Sequence, residues 1–125
     1  MMAEDFDWKL DVLVVGGGGC GLAAAIAAHD AGAETAIVEK LDRPGGNTAL
    51  STGSVPGAGS RFQRAAGIVD SPEQMLADYR RKCGDHAMNH ITRLLAHESA
   101  PLVEWLVDAV GARMSLITDY CHVGH

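Results

Sequence analysis

A glycine-rich turn near the start of the sequence, followed by an acidic residue, carries its strongest chemical signal. Gly16, Gly18 and Gly21 form a G-x-G-x-x-G motif directly after the apolar run Val12-Leu13-Val14-Val15. Leu22-Ala23-Ala24-Ala25-Ile26-Ala27-Ala28 follows, a stretch of strong helix formers. Glu39 then ends a second apolar run, Ala36-Ile37-Val38, at about the ~20-residue distance where a dinucleotide-binding motif carries its acid. Each glycine has a physical role. Gly16 permits a tight turn out of the strand, Gly18 lets a pyrophosphate approach bare backbone, and Gly21 lets the helix pack closely on the strand. The helix start offers unpaired N–H groups and partial positive charge to phosphate. Glu39 is expected to accept from ribose hydroxyls and to repel a 2′-phosphate, which disfavours NADP. Cys20 sits at the helix start among small residues and is read as packing rather than as a reactive thiol.

Elements of α/β type must hold these residues. Strand 1 is expected over about 11–15, helix 1 over about 20–31 with Gly32 as its C′ residue, and strand 2 over about 35–39. Both strands are continuous apolar runs, the pattern of parallel strands buried on both faces. In a Rossmann-like doubly wound sheet of order 3-2-1-4-5, strands 1 and 2 are interior, so each is expected to lack a neighbour here. Residues 43–60, rich in Gly, Ser, Thr and Pro, read as a ligand-contacting loop with one helical turn near Asn47–Ser51. From Ser71 onward the chain becomes helical. Ser71-Pro72-Glu73-Gln74 supplies an N-cap, a proline at N1 and the Gln of a capping box for a helix to about Lys82. A second helix is expected over about 87–97 and a third over about 100–110, ended by Gly111. Trp105 reads as partial core.

Composition excludes several classes. The chain has 125 residues, 47% hydrophobic content and a formal charge of -6, as expected of an acidic globular protein. Arg80-Arg81-Lys82 is its longest basic run and reads as a solvated helix face, so no nucleic-acid partner is expected. No apolar stretch is long enough to span a membrane, and Met1-Met2-Ala3-Glu4-Asp5-Phe6-Asp7 lacks the apolar core of a signal peptide. Cys20, Cys83 and Cys121 have no C-x-x-C spacing, which suits reduced thiols and a cytoplasmic setting. His86, His90 and His97 can align on a helix but have no third ligand at useful spacing, so they are read as surface histidines.

Gly45-Gly46-Asn47-Thr48-Ala49-Leu50-Ser51-Thr52-Gly53, together with Val38-Glu39-Lys40 and the helical stretch from Ser71 to Trp105, resembles a known family. It is similar to the N-terminal part of the FAD-dependent fumarate reductase/succinate dehydrogenase flavoproteins, which include soluble fumarate reductases and 3-ketosteroid dehydrogenases. The likeness covers about residues 10–125. It implies FAD rather than NAD. By it, the backbone of Gly16, Gly18, Gly19, Cys20 and Gly21 meets the pyrophosphate, and Glu39 meets the adenosine ribose with Lys40 beside it. Gly46, Asn47 and Thr48 line the pyrophosphate and flavin side, and Ser51, Thr52 and Gly53 approach the isoalloxazine ring. Family members often carry a Gly-Gly pair where this chain reads Thr52-Gly53-Ser54. Members with covalent flavin use a His near this loop, and the loop has none, so the FAD is expected to be non-covalent.

The resemblance also implies an incomplete protein. Family members are several times longer, and their substrate-capping domain and catalytic arginines and histidines lie in later segments. Residues 1–125 are therefore expected to be a single incomplete FAD-binding segment. It would be a split-gene subunit, a proteolytic fragment or a truncated piece, with a second chain supplying the remainder of the FAD domain and the capping domain. His122 and His125 could border an active site but are not assigned to it. The implied reaction is hydride transfer to or from a carbon–carbon bond of a small-molecule substrate, with the flavin doing the redox chemistry. The alternatives are a non-catalytic FAD-binding subunit or inactive fragment and, more remotely, an NAD-dependent dehydrogenase.

Overall fold

The computed structural model describes residues 8–119. Cys121, His122 and His125 lie outside the described residues. The chain forms two compact units, Met1–Ser54 and Val55–His125.

The first unit is a single β-α-β crossover. Strand β1 (Val12–Val15) and strand β2 (Thr35–Val38) pair in parallel, with Val12 opposite Thr35 and Val15 opposite Val38. Helix α1 (Gly19–Asp30) connects them. A parallel pair needs such a crossover because its strands must run the same way. The alanine run supplies the helix, and its end is a Schellman motif. Gly32 N–H donates to His29 O at 2.8 Å and Ala33 N–H to Ala28 O at 3.1 Å. Gly32 takes the φ of +87° that this closure requires. A 3₁₀ turn, Gly46–Leu50, follows β2. All four elements lie within a residue or so of where the sequence places them. The double-sided burial expected of the strands is not present among the described residues. Val12 and Val14 are half-buried, and Val14 lies on the α1 side, but Leu13 is 56% and Val15 81% exposed.

The second unit is helical: α2 (Arg61–Ala65), α3 (Pro72–Cys83), a 3₁₀ turn Asp85–Ala87, and α4 (His90–Asp108). Ala58, Met75 and Ala96 form its core, with Leu76 and Tyr79 packed against them. Half-buried Trp105 agrees with its reading as partial core. Ser71 caps α3 as expected, accepting from Gln74 N–H at 3.1 Å. The return half of the capping box is supplied differently. Ser71 N–H donates to Asp70 Oδ1 at 2.7 Å, while the Gln74 amide reaches along the helix to Asp78. A complete capping box does occur, but at Ser60 and Gln63, where it starts the short α2 in a stretch for which the sequence predicts no element.

The two expected helices over 87–97 and 100–110 are one helix of 19 residues with Pro101 inside it. Proline removes the donor that His97 O would use and normally breaks a helix at a cost of about 3 kcal/mol. Here both sides of the proline are anchored on one face. Ala96, Ser99 and Val103 are buried, and Ser99 Oγ accepts from Ala58 N–H at 3.0 Å while donating to Ala96 O at 2.8 Å. Pro101 itself is exposed. Toward its end α4 also holds α2, through Arg61 N–H to Glu104 at 2.7 Å and the paired contacts of Arg61 with Asp108.

Candidate functional site

The candidate site lies wholly in the first unit, where β1 runs into α1. Val15 ends the strand and Gly16 turns the chain with φ +104°, while its N–H still reaches Val38 O at 2.8 Å. That φ lies in the left-handed region, which is why Gly stands there. Gly21 serves packing. A Cβ on it would stand 1.9 Å from Gly16 O and 3.2 Å from Val14 Cγ1, so helix and strand can meet this closely only without a side chain. Gly18 is the N-cap of α1, extended at φ -77° and ψ 178°, and has no side chain to cap with. A Cβ there would meet nothing nearer than Gly45 O at 3.9 Å, which leaves the bare backbone approachable.

A second glycine loop closes against the first. Gly45 (φ +140°) and Gly46 (φ +51°) lead into the 3₁₀ turn. Gly45 N–H donates to Gly17 O at 2.8 Å, and Gly18 and Gly45 form a parallel bridge. Thr48 Oγ1 accepts from Gly19 N–H at 3.0 Å. Gly17, Pro44 and Gly45 were not among the residues expected at the site. A Cβ on Gly17 would be 2.9 Å from Pro44 Cβ, so these residues set how near the loops come. The run Gly16-Gly17-Gly18-Gly19 and the Pro44-Gly45-Gly46 step were the available signals.

Glu39 ties the first glycine loop to the end of β2. Its Oε2 accepts from Gly17 N–H at 2.8 Å and its Oε1 from Leu41 N–H at 3.0 Å. The Gly17 N–H, then the Leu41 N–H and the adjacent Lys40 charge, hold its carboxyl below the usual carboxylate pKa. Each oxygen keeps a second lone pair for a ligand hydroxyl.

The unpaired donors then stand out. The N–H groups of Gly18, Cys20 and Gly21 have no acceptor among the described residues, and the first turn of α1 contains no acidic side chain. Unpaired N–H groups at the start of a 12-residue helix suit a phosphate. The donors fit the pyrophosphate of a dinucleotide, and the lone pairs of Glu39 fit a ribose. Cys20 is exposed, not packed as expected.

The remaining expected residues are placed differently. Lys40 and Asn47 are exposed beside the loops. Ser51, Thr52 and Gly53 are exposed and bonded locally: Ser51 Oγ donates to Thr48 O at 2.8 Å, and Gly53 N–H donates to Ser51 Oγ at 3.2 Å. The structure brings Gly16, Gly18, Gly19, Gly21, Glu39, Gly46 and Thr48 into one cluster. It does not bond Ser51, Thr52 or Gly53 to the first glycine loop. Away from this site, His86, His90 and His97 are exposed. No helix among the described residues is long and apolar enough to cross a membrane.

A β-α-β unit with a glycine-rich turn, a free helix start and an acid at the end of β2 defines a dinucleotide-binding protein. The chain belongs to the FAD binding domain family, whose model matches residues 11–120. It is 44% identical over 100 residues to the NADH:fumarate oxidoreductase of Klebsiella pneumoniae, covering 78% of this chain and 11% of that protein. It is 38% identical over 108 residues to the cytochrome-type fumarate reductase of Shewanella frigidimarina, covering 85% and 18%. Among solved structures, it matches the 3-ketosteroid-Δ4-(5α)-dehydrogenase of Rhodococcus jostii RHA1 with a TM-score of 0.73 and 36% identity, over 84% of this chain and 22% of that one. The chain thus spans between about a tenth and a fifth of the length of these relatives. The cofactor expected from the resemblance, FAD rather than NAD, is the one that this family binds.

Proposed function

We propose that this chain is the FAD-binding portion of an oxidoreductase that moves hydride to or from a carbon–carbon bond of a small molecule. The observation that carries the reading is the set of unpaired N–H groups on Gly18, Cys20 and Gly21, faced by Glu39 and closed by the Gly46–Thr48 turn. In this reading Gly18, Cys20 and Gly21 offer unpaired N–H groups to the pyrophosphate, and Gly16 and Gly19, whose N–H groups are bonded within the protein, meet it with bare backbone. Glu39 receives the ribose hydroxyls, and Lys40 adds positive charge nearby. Gly46, Asn47 and Thr48 border the pyrophosphate and flavin, and Ser51, Thr52 and Gly53 approach the ring. The flavin is held non-covalently, because the loop from Gly45 to Gly53 has no histidine to bond it.

The flavin supplies the redox chemistry when bound, and these residues bind and orient it. The substrate site and the remainder of the FAD domain come from outside this segment, supplied by a second chain or by more of the same one. Residues 1–125 are one segment of that domain, placed in the cytoplasm with reduced thiols. The fumarate reductases and the ketosteroid dehydrogenase it resembles favour a substrate with an activated double bond, or one that gains one. A non-catalytic FAD-binding subunit is the second reading, favoured by the small share of its relatives that the chain spans.

Natively purified material, sized on a column and then examined by visible absorption, tests the proposal. A flavin band in a particle larger than this chain supports an oxidoreductase assembled from pieces. No flavin band at this chain's own size removes the enzyme reading. Yellow colour that stays with the protein after acid precipitation would overturn the non-covalent assignment.

A further inference from the structure

We propose that Thr48, from the second glycine loop, supplies the side-chain cap that the N-cap residue Gly18 cannot give α1, and is a positioning residue for the dinucleotide loop. The inference deepens the FAD-binding reading and rests on it only where cofactor affinity is concerned.

Helix N-termini are normally capped by the Ser, Thr, Asp or Asn at the N-cap position itself. Here that position is Gly18, which has no side chain. A local capping side chain would sit in front of the first turn, in the space where a phosphate must come. The cap arrives instead from 29 residues away. Gly19 N–H donates to Thr48 Oγ1 at 3.0 Å. That bond uses the first helical donor and leaves the N–H groups of Cys20 and Gly21 open. Glu39 does the equivalent for Gly17. The donors of the loop are thus divided: the N–H groups of Gly17 and Gly19 tie the loop to the protein, and those of Gly18, Cys20 and Gly21 have no acceptor among the described residues.

The same contact explains a glycine outside the G-x-G-x-x-G pattern. A Cβ on Gly19 would stand 2.9 Å from Thr48 Oγ1 and 3.0 Å from Thr48 Cγ2. The backbone at Gly19 has no positive φ, so alanine suits its conformation, and the three atoms its Cβ would meet first all belong to Thr48. Gly19 and Thr48 are therefore a matched pair. Together with the Gly18–Gly45 bridge and the Gly45 N–H to Gly17 O bond, they make the two glycine loops close as one unit.

The test reads the amide exchange of residue 19 in the cofactor-free 125-residue chain by NMR, relative to Leu22 N–H, which bonds Gly18 O in the same turn. Thr48→Val keeps the shape and removes the acceptor, so exchange at residue 19 should quicken up to about tenfold, the scale of one hydrogen bond. Thr48→Ser should keep the wild-type value. Gly19→Ala should quicken it as Thr48→Val does, and adding Thr48→Ala to Gly19→Ala should cause little further change. FAD titration should show weaker binding in Thr48→Val and recovery in Thr48→Ser. Equal exchange in wild type and Thr48→Val, an unprotected residue 19 in wild type, or unchanged FAD affinity in Thr48→Val would each overturn the proposal. If wild type itself fails to bind FAD, the cofactor reading falls, and the exchange pattern alone still decides whether Thr48 caps the helix.

Discussion

Among single residues, Glu39 combines a structural role, holding two backbone N–H groups, with the ribose contact we propose, and both need the same charged form. Its carboxylate holds the Gly17 and Leu41 N–H groups and leaves lone pairs for a ribose. Because those N–H groups lower its pKa in the folded state, the unfolded chain binds more protons in acid. The contribution is complete above the ordinary carboxylate pKa and is lost as pH falls through the lowered folded value. FAD affinity should therefore hold from neutrality to mildly acidic pH and then fall. Glu39→Gln should bind FAD roughly tenfold more weakly at neutral pH, the scale of a lost charge-assisted bond, and lose that acid dependence. Fluorescence titration across pH checks both, and a mutant with the wild-type profile would remove Glu39 from the site. Gly21→Ala tests the neighbouring contact. Its Cβ would meet backbone oxygen rather than a side chain that can move, so it should destabilise by about 1–3 kcal/mol or more in thermal melting. The roles of Gly16 and Gly21 were legible in the sequence because each is a local backbone requirement at fixed spacing. The Gly17–Pro44 and Gly19–Thr48 contacts were not, because they join loops far apart in the chain.

At the scale of elements, legibility followed the strength of local signals. β1, α1, β2 and α3 carry an apolar run, an alanine run or a cap at each end, and their bounds were read to within a residue or two. The short α2 has the complete Ser60–Gln63 capping box, but five residues are too few to show periodicity. The division of α4 in the sequence reading reflects two separate apolar stretches around 97–100. What keeps the helix continuous is the burial of Ala96, Ser99 and Val103, a tertiary fact that local pattern does not contain. If packing on both flanks holds the helix against its proline, then Pro101→Ala should keep the same packing and restore a donor to His97 O. It should stabilise the second unit by up to about 3 kcal/mol, seen as a raised melting temperature. A lowered melting temperature would mean that the proline's own shape is needed.

At the scale of the whole molecule, the first unit shows apolar surface that its own described elements do not cover. Parallel strands in α/β proteins are normally buried on both faces, and a sheet of two strands is marginal by itself. β1 meets α1 with Val12 and Val14, while Leu13 and Val15 remain open on the other face. Two apolar side chains on the open face of a strand with only one paired edge among the described residues invite association with another sheet or another copy. The chain by itself should therefore self-associate, or co-purify with a larger polypeptide that covers this face. Replacing Leu13 and Val15 with Thr keeps strand propensity and removes apolar surface. Sedimentation velocity should show the Leu13→Thr/Val15→Thr variant shifting toward monomer, with the glycine loops still able to bind FAD because their bonds lie on the other side of the turn at Gly16. A wild-type chain that is a well-folded, FAD-loaded monomer would contradict the need for any covering partner, and would make the stand-alone binding subunit the better account.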